Sequence, residues 1–560
     1  MSSWVQGEDV RRAVSISLIC TMACFIVLHP TPINATDKEV IVQIAYQGPL
    51  SGGESPLGQS QLEAVEYAVS GFNNFYQGQV KVELQTIDDQ GDPSIAVKVA
   101  PKAAADSKVI GLVGPAYSGA SIASLPFYKE GSLTMISPSA SRGDITNPYS
   151  PVLGSPVFHR VIAVEKQKGA RINSWAIQGV SNPRIFVVTD SYRPTEWLTT
   201  LAPSATRAGI LNMNDYYGKE STVITIILNS NPNIVVIDSY EAKSDLLITL
   251  KKSGYSGKII ATDNWTYGPN IQSALSNLEG LQFVELTPSS LKDIDSRLES
   301  EYFSITNKTS KEYALQTIDA TNVLLSCIAS GVRSRSEMLD CVKAFTGKSI
   351  TGELFSFDKY GDSTNPFLRV SIITRGQIVR EDFTFKTETP LLGNPVTTKD
   401  GFQIEILNFE SKSNYWIKSS IGNIQRNGNL ISVSGLEPGQ TSSVSVATSL
   451  QLLKFNSITM VGKAGLTPEQ IEKETKLAVE KILAEANAKA EAIREAQKLA
   501  EARIEAEQKL AEARALAEKI ITEAKAAIAK KTTITCVKGK LTKKVTAVKP
   551  KCPAGYKKKA

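Results

Sequence analysis

The sequence predicts an α/β protein with two lobes, each built on a parallel β-sheet flanked by helices. Strand-like and helix-like patterns alternate from residue 38 to about residue 388; a strand-like run at 40–46, for example, precedes a helical pattern at 59–75. Strands separated by helical segments are typical of βαβ units and therefore of parallel sheets. About 350 residues exceed the usual size of one such sheet with its core, so we expect two lobes.

Residues 109–141, VIGLVGPAYSGASIASLPFYKEGSLTMISPSAS, contain two apolar runs that each end in a turn of small residues and serines. Each run has the length and β-branched content of a buried parallel strand. Ser118 and Gly119 follow the first run, and Ser139 and Ser141 follow the second. Because open α/β sheets bind ligands at the carboxyl ends of their strands, these turns predict a site for a small polar molecule.

Residues 389–463 predict a small β-sandwich of the immunoglobulin or fibronectin kind. Short alternating stretches, such as residues 402–406 and 442–447, are separated by turn residues, and the segment has no long helical pattern. This spacing of short strands is typical of sandwich domains.

Residues 467–530 predict one long helix, because the segment is almost entirely Ala, Glu, Lys and Leu and lacks glycine. An 11-residue repeat, REAQKLAEARI at 494–504 followed by EAEQKLAEARA at 505–515, favours a nearly straight or slightly right-handed superhelix. Two interpretations stay open: a coiled coil through which copies of the chain self-associate, and a solitary charged spacer helix supported by i to i+4 ion pairs.

Residues 1–35 predict a secretory signal peptide. A pair of arginines precedes an apolar stretch at 13–28, and a small-residue cleavage site follows at Ala35. Two alternatives stay open: a lipoprotein attached through Cys24, and an uncleaved anchor, since the apolar stretch approaches the shortest membrane spans. In each case we expect an exported protein of the cell envelope.

Four cysteines follow the signal, and an even number in an exported chain suggests disulfides. Pairing by proximity joins Cys327 to Cys341 and Cys536 to Cys552. The alternative for the first pair is two buried free thiols on neighbouring helices.

The positive charge of the chain is concentrated at its C-terminus. Eleven lysines and no acidic residue occur between residues 530 and 559, whereas the whole chain has a net charge of +6. We expect the tail, residues 531–560, to be attracted to an anionic cell-wall polymer or to acidic lipid head groups. Nucleic acid is not expected as a partner of an exported chain, and the alternative is a solubilising tail with no specific partner.

The catalytic motifs of common enzymes are missing from the sequence. Only one histidine, His159, follows the signal, and the chain has no paired-histidine metal motif, no Cys-x-x-Cys and no Gly-x-Ser-x-Gly elbow. We therefore expect no catalytic site, no metal and no cofactor.

Short motifs occur along the first three fifths of the chain in a recognisable order. They are AYQGPLSG at 45–52, DD at 88–89 with DP at 92–93, GPAYSGAS at 114–121, SPSAS at 137–141, TG at 351–352, FSFD at 355–358 and GD at 361–362. With these motifs, residues 40–385 resemble the type 1 periplasmic solute-binding proteins of ABC transporters, in particular the branched-chain amino acid (Leu/Ile/Val) group.

The resemblance implies a role for each serine turn. Ser118 and the amide of Gly119 fall where the family binds the carboxylate of an amino acid, at the start of a helix. Ser139 and Ser141 fall where it supplies a backbone carbonyl and a hydroxyl, and Asp263 falls where it binds the ligand ammonium. Ordinary turn and N-cap chemistry is the alternative for the serines, and a solvent-exposed strand end is the alternative for Asp263.

Three further positions are implied more weakly. Tyr192 and Ser239 would contact the ligand from the second lobe, and Leu57 stands where some members of the family have an aromatic residue over the ligand side chain. The leucine leaves the preferred side chain open.

We therefore expect an exported substrate-binding protein that presents an amino acid, or a similar small zwitterion, to the permease of an ABC importer. A cell-surface sensor or adhesion protein with the same fold is the alternative. The expected first lobe comprises residues of about 38–158 and 282–345, and the second comprises residues of about 159–281 and 346–388.

Overall fold

The computed structural model describes residues 39–146, 156–190, 204–239, 244–262, 275–288, 290–380, 388–529 and 531–560. The expected signal peptide lies outside the described residues. The chain divides after Gly465 into two compact units. The first unit contains one parallel sheet, one mostly parallel sheet and a β-sandwich, and the second contains a long helix and a small sheet.

The sheet of the first lobe has five parallel strands in the order β2-β1-β3-β4-β5. The strands are β1 (Val40–Gly48), β2 (Val80–Asp88), β3 (Val109–Val113), β4 (Thr134–Ser137) and β5 (Phe158–Arg160). The helices between them are α1 (Ser55–Phe75), α2 (Pro93–Ala105) and α3 (Ser118–Glu130). Every residue of β3 and β4 is buried, which explains their continuous apolar runs: helices cover both faces of a parallel sheet.

The sheet of the second lobe has seven strands in the order β14-β13-β10-β9-β8-β6-β7. Its first five strands along the chain are β6 (Arg184–Thr189), β7 (Thr206–Asn212), β8 (Ile234–Asp238), β9 (Lys258–Thr262) and β10 (Gln282–Glu285). The helices of this lobe are α4 (Glu165–Ala176), α5 (Glu220–Asn229) and α6 (Ser244–Lys252). These strands are parallel, and their apolar side chains form cores on both faces of the sheet.

The chain then returns to the first lobe and afterwards completes the second sheet. The returning elements are α7 (Ser296–Thr306), α8 (Ala314–Ala329), α9 (Arg335–Lys343), β11 (Thr346–Lys348) and β12 (Leu354–Ser356). A disulfide joins Cys327 of α8 to Cys341 of α9, the pairing expected from proximity. The antiparallel strands β13 (Arg369–Thr374) and β14 (Gln377–Arg380) close the edge of the second sheet.

Three segments cross between the lobes, and their positions correct the expected boundaries. Residues 282–285 were assigned to the first lobe, but as β10 they pair with β9 and β13, so the second crossing follows them near Leu286. Residues from 346 were assigned to the second lobe, yet Phe355 and Phe357 belong to the core of the first lobe, so the third crossing lies near Leu368. Ile162 marks the first crossing, after β5, and it shares one small apolar cluster with Leu286 and Leu368.

Residues 396–463 form the expected β-sandwich, from two antiparallel sheets of four and three strands. The first sheet contains β15 (Val396–Thr398), β16 (Gly401–Glu405), β18 (Asn423–Asn427) and β19 (Leu430–Ser434), and the second contains β17 (Trp416–Ser419), β20 (Thr441–Ala447) and β21 (Ser457–Lys463). A short helix, α10 (Leu453–Asn456), precedes β21. Alternate residues of facing strands, such as Phe402 and Val444, are buried in a common core.

The sandwich is joined to the first lobe by a shared hydrophobic core. The Trp416 side chain, at the start of β17, is 3% exposed and belongs to the same apolar cluster as Phe72 and Tyr76. Its ring meets the Phe72 ring edge-on, with 6.4 Å between centroids. Leu450 and Leu452 belong to the cluster as well, and Glu301 of α7 accepts a hydrogen bond from the Leu452 amide.

The second unit begins with a helix of 62 residues, α11 (Pro468–Ala529). At 1.5 Å per residue the helix is about 93 Å long, and every side chain from residue 468 to residue 526 is exposed. Ion pairs at i to i+4 spacing join Arg503 to Glu507 and Lys509 to Glu505. Among the described residues no helix combines the length and the apolar content needed to cross a bilayer.

The last thirty residues form a small three-stranded antiparallel sheet in the order β23-β22-β24. The strands are β22 (Thr532–Lys538), β23 (Leu541–Ala547) and β24 (Lys557–Lys558). A disulfide between Cys536 and Cys552 ties the loop after β23 to the central strand, again the pairing expected from proximity.

Candidate functional site

The turns after β3 and β4, which the sequence predicts to form a site, lie against each other. The Ser137 hydroxyl donates to the Pro115 carbonyl at 2.7 Å, and the Ser139 hydroxyl donates to the Ala116 carbonyl at 2.7 Å. The Ser137 oxygen also accepts from the Ala140 amide at 3.0 Å. The two serine turns are therefore one connected structure at the carboxyl edge of the first sheet.

Ser118 is the first residue of α3, and no side chain caps the amino end of this helix. The half-buried hydroxyl of Ser118 lies 3.4 Å from the Arg142 amide, which donates to it. Unpaired amides at a helix start carry partial positive charge and favour an anion. Gly119 has a packing role too, because a Cβ at this position would lie 2.9 Å from a Pro93 side-chain carbon.

Ser141 connects the first lobe to the beginning of the second. Its hydroxyl donates to Glu165 Oε1 at 3.0 Å, at the start of α4. The Lys168 ammonium lies 2.7 Å from the other Glu165 oxygen and 2.9 Å from an Asp238 oxygen at the end of β8. All three charged side chains are nearly buried. We call Ser141, Glu165, Lys168 and Asp238 the polar relay.

Ser239, next to the polar relay, also has a carboxylate partner. Its hydroxyl donates to Asp190 Oδ2 at 2.6 Å. Asp190 follows β6 and Ser239 follows β8, and these two strands are neighbours in the sheet. The second lobe therefore presents polar side chains at the carboxyl ends of its strands, as the first lobe does.

Two of the predicted site residues, Tyr192 and Asp263, lie outside the described residues. Leu57 lies in the first turn of α1 and is half-buried. One turn later the buried Gln61 donates to the Ser139 hydroxyl at 2.9 Å. Its oxygen lies 3.3 Å from the Tyr46 hydroxyl, so Gln61 holds Ser139 against the first strand.

Several of these residues were not predicted from the sequence. Glu165 and Lys168 have the spacing of an ordinary helical ion pair, and nothing local connects them to Asp238, seventy residues later in the chain. Asp190 and Asp238 did carry a signal, because each directly follows an apolar strand-like run. That is the position at which polar residues reach a ligand in open α/β sheets.

Carboxylates also surround Tyr117, the residue before Ser118. The Tyr117 hydroxyl donates to Glu54, and burial together with this hydrogen bond raises the pKa of Tyr117. Burial likewise raises the pKa of Glu312, whose charge acts on Tyr117. The edge of the first lobe is therefore rich in hydrogen-bond acceptors.

His159 has a structural position, as expected for a lone histidine. It is buried in β5, and its ring packs edge-on against Phe357 at 5.0 Å between centroids. Burial lowers the pKa of His159 to about 4, so the imidazole is neutral at physiological pH.

A cavity of about 270 Å³ lies apart from the serine turns. It is lined by residues of α8 and of the chain around the third crossing, among them Gln316, Asp319, Thr351 and Leu368. Asp319 accepts hydrogen bonds from the Ser349 hydroxyl and the Ile350 amide, yet burial raises its pKa to about 7. None of the predicted site residues lines this cavity.

Asp319 makes a testable contribution to the pH dependence of stability. Its pKa is higher in the folded state than its ordinary 3.8, so the contribution is full below pH 3.8 and is lost as the pH rises towards 7. The natural protein loses this contribution between pH 4 and pH 7.5, and Asp319→Asn has none to lose. Over this range we therefore expect the free energy of unfolding of the variant to rise by about 2 to 4 kcal/mol relative to that of the natural protein. Urea unfolding at several pH values measures this difference. Asp400→Asn, which removes an exposed carboxylate, is the control. If the stability of Asp319→Asn changes with pH in the same way as that of the natural protein, the prediction is wrong.

Two sheets joined by three crossing segments, with polar turns at the strand ends of both, define a two-lobed ligand-binding protein. Residues 41–376 match the model of the family described as periplasmic binding protein, and this match covers three fifths of the chain. The chain therefore belongs to the periplasmic binding protein family, as its motifs predict. Members of this family are solute-binding proteins rather than enzymes.

Solved structures share this fold. A putative branched-chain amino acid ABC transporter protein from Rhodospirillum rubrum is 19% identical, with a TM-score of 0.50 over 61% of this chain and 100% of that chain. An ABC transporter substrate-binding protein from Desulfitobacterium hafniense, in complex with Leu, is 18% identical, with the same TM-score and coverage.

A solute-binding protein from R. palustris, in complex with 4-hydroxybenzoate, is 15% identical, with a TM-score of 0.50 over 61% of this chain and 96% of that chain. At these identities the likeness concerns the fold. The sequence matches none of the curated proteins with which it was compared.

Proposed function

We propose that this protein binds an amino acid, or a similar small zwitterion, between its lobes and presents it to the permease of an ABC importer. The observation that carries the proposal is the distribution of charge around the serine turns. The amino end of α3 offers unpaired amides, whereas the polar relay and its neighbour Asp190 offer carboxylates.

The two ends of this site suit the two charges of a zwitterion. A ligand carboxylate is stabilised at Ser118 and Gly119 by the amides at the start of α3. A ligand ammonium is stabilised near Ser141 by the carboxylates of Glu165, Asp238 and Asp190 at the strand and helix ends of the second lobe. Asp263, which follows β9, is proposed to add a further carboxylate at this end.

The same carboxylates distinguish the amino acid from an aromatic acid. Related folds hold either Leu or 4-hydroxybenzoate. A benzoate has no cation to offset the carboxylates of the second lobe, and bringing like charges together in a closed site is unfavourable. The site of this chain therefore favours a ligand with an ammonium group.

The three crossing segments that connect the lobes suit a transport mechanism in which the lobes close on the ligand. A ligand that contacts both lobes stabilises the closed arrangement, and a permease that recognises this arrangement receives the loaded protein. Binding and release need no covalent step. We propose that the protein acts outside the cytoplasm, after export directed by residues 1–35.

Calorimetry tests this function. The chain from residue 36 onward is titrated with a panel of amino acids and with benzoates, and we expect a saturable signal for at least one amino acid and none for benzoates. Binding of benzoates alone refutes the zwitterion site. If no small molecule binds, the sensor or adhesion alternative replaces transport.

Two substitutions test the proposed ends of the ligand. Ser118→Ala and Asp263→Ala are each expected to raise the dissociation constant of the bound amino acid by about 10-fold to 100-fold, since a charged ligand group loses its partner. Ser300→Ala, which removes an exposed hydroxyl from α7, is the control and is expected to leave the constant unchanged. If both site variants bind as the natural protein does, the ligand lies elsewhere.

A further inference from the structure

The small sheet at the C-terminus, residues 531–560, is unusually one-sided in charge, and we call it the basic tip. It contains ten lysines and no aspartate or glutamate. Within the described part of the chain, no carboxylate forms an ion pair with any of these lysines. Ten uncompensated charges on a small sheet repel one another, so a bound polyanion stabilises the folded tip.

Strand pairing separates the two faces of the basic tip. Thr535 pairs with Lys544, Thr533 pairs with Thr546, and Val537 pairs with Lys557, so these side chains lie on one face. We call it the threonine-lysine face. Its lysines and most of its threonines are exposed, and the Thr533 and Thr546 hydroxyls lie 2.5 Å apart.

The opposite face contains the disulfide. Cys536 is fully buried there, and it pairs with Lys543 on one side and with Lys558 on the other. The apolar residues Ile534 and Val545 pair on this face too and are half-buried. The disulfide face therefore closes the small core, and the threonine-lysine face remains open to solvent.

The open face suits a chain of phosphates. Lys544 on β23 lies beside Thr535 of the central strand, Lys557 on β24 lies beside Val537, two residues further along that strand, and neighbouring strands are about 4.8 Å apart. Ammonium groups and hydroxyls thus share a strip about 10 Å wide on this face. Lysine binds phosphate as a point charge, and threonine hydroxyls donate to phosphate oxygens.

We propose that the threonine-lysine face binds a linear phosphodiester polymer without bases, of the kind found in cell walls. The inference is independent of the ligand proposed for the lobes. A membrane surface is disfavoured, because none of the residues that strand pairing places on this face is a large exposed apolar side chain. Nucleic acid is disfavoured, because single strands stack on aromatic rings and Tyr556, the single aromatic residue of the tip, is half-buried.

Binding of poly(glycerol phosphate) by the chain from residue 36 onward tests the proposal. The double variant Lys544→Gln/Lys557→Gln is expected to weaken binding at least tenfold at about 0.15 M salt. It is also expected to lower the slope of log affinity against log salt by about 1.4, the value for two phosphate contacts on a single strand. The matched control is Lys543→Gln/Lys558→Gln, which removes the same charge from the same two strands on the disulfide face.

The control variant is expected to bind within about threefold of the natural protein, because screening at this salt confines the effect of a charge to about 8 Å. Equal losses in the two double variants overturn the assignment of the face. Tighter binding to phosphatidylglycerol vesicles or to oligo(dT), compared at equal phosphate concentration, overturns the assignment of the partner. A count of free thiols confirms that the Cys536–Cys552 disulfide is intact in each variant.

Discussion

Replacement of Arg160 by methionine is expected to lower the free energy of unfolding of the first unit by about 3 to 5 kcal/mol. The Arg160 side chain is fully buried, and its Nε lies 2.6 Å from Asp362. Removing the cation leaves the Asp362 carboxylate without its partner in a mostly buried position, which is far more costly than losing an exposed ion pair. Urea unfolding followed by circular dichroism measures the loss.

The same substitution is expected to weaken ligand binding, because Arg160 positions the second serine turn. Its guanidinium donates to the Ala140 carbonyl at 2.8 Å and to the Arg142 carbonyl at 2.6 Å, on either side of Ser141. It also donates to the Thr146 hydroxyl at 2.7 Å. Without Arg160 the backbone on either side of Ser141 loses two of the hydrogen bonds that hold it in place.

Two further variants separate charge from packing. Arg297→Met removes an ion pair of similar geometry, but Arg297 is 44% exposed, so we expect a loss below about 1 kcal/mol. The double variant Arg160→Met/Asp362→Leu removes both charges and is expected to recover part of the stability lost by Arg160→Met. If the double variant is less stable than the single one, the uncompensated carboxylate is not the cause.

Replacement of Trp416 by alanine is expected to destabilise the first unit by about 3 to 5 kcal/mol. The indole is buried between the sandwich and the first lobe, where it contacts Phe72, so its removal opens a cavity at their junction. Unfolding in urea is expected to separate into two transitions as the sandwich and the first lobe lose their coupling. Leu407→Ala is the control, because Leu407 belongs to the same sandwich and is 61% exposed.

One experimental result would contradict the prediction for Trp416. A single unfolding transition with unchanged stability in Trp416→Ala shows that the junction does not stabilise the protein. Phe72→Ala tests the same junction from the side of the first lobe and is expected to give a loss of similar size.

The sequence predicted the elements that repeat a local pattern. The apolar runs of β3 and β4 and the turns at Ser118 and Ser139 follow from the hydrophobic effect and from turn chemistry, both of which act between near neighbours. The long helix and the alternating strands of the sandwich are local patterns in the same sense. These parts of the fold could be derived from the residues alone.

Contacts between distant residues could not be derived in this way. Arg160 pairs with a carboxylate 202 residues later, and Lys168 pairs with one 70 residues later. Residues 282–285 resemble any short strand, and only their partners β9 and β13 place them in the second lobe. Trp416 would be an unremarkable sandwich residue if α1 did not lie against it. In each case the tertiary structure decides the role.

The shared core around Trp416 also changes how the protein should be divided for experiments. The family match ends at residue 376, which suggests a fragment that stops just after it. In such a fragment the rings of Phe72 and Tyr76, which the sandwich covers in the full chain, would form an exposed apolar patch that promotes aggregation. A fragment that ends at Gly465 keeps the patch covered, so the solute-binding lobes and the sandwich are best produced, crystallised and labelled as one piece.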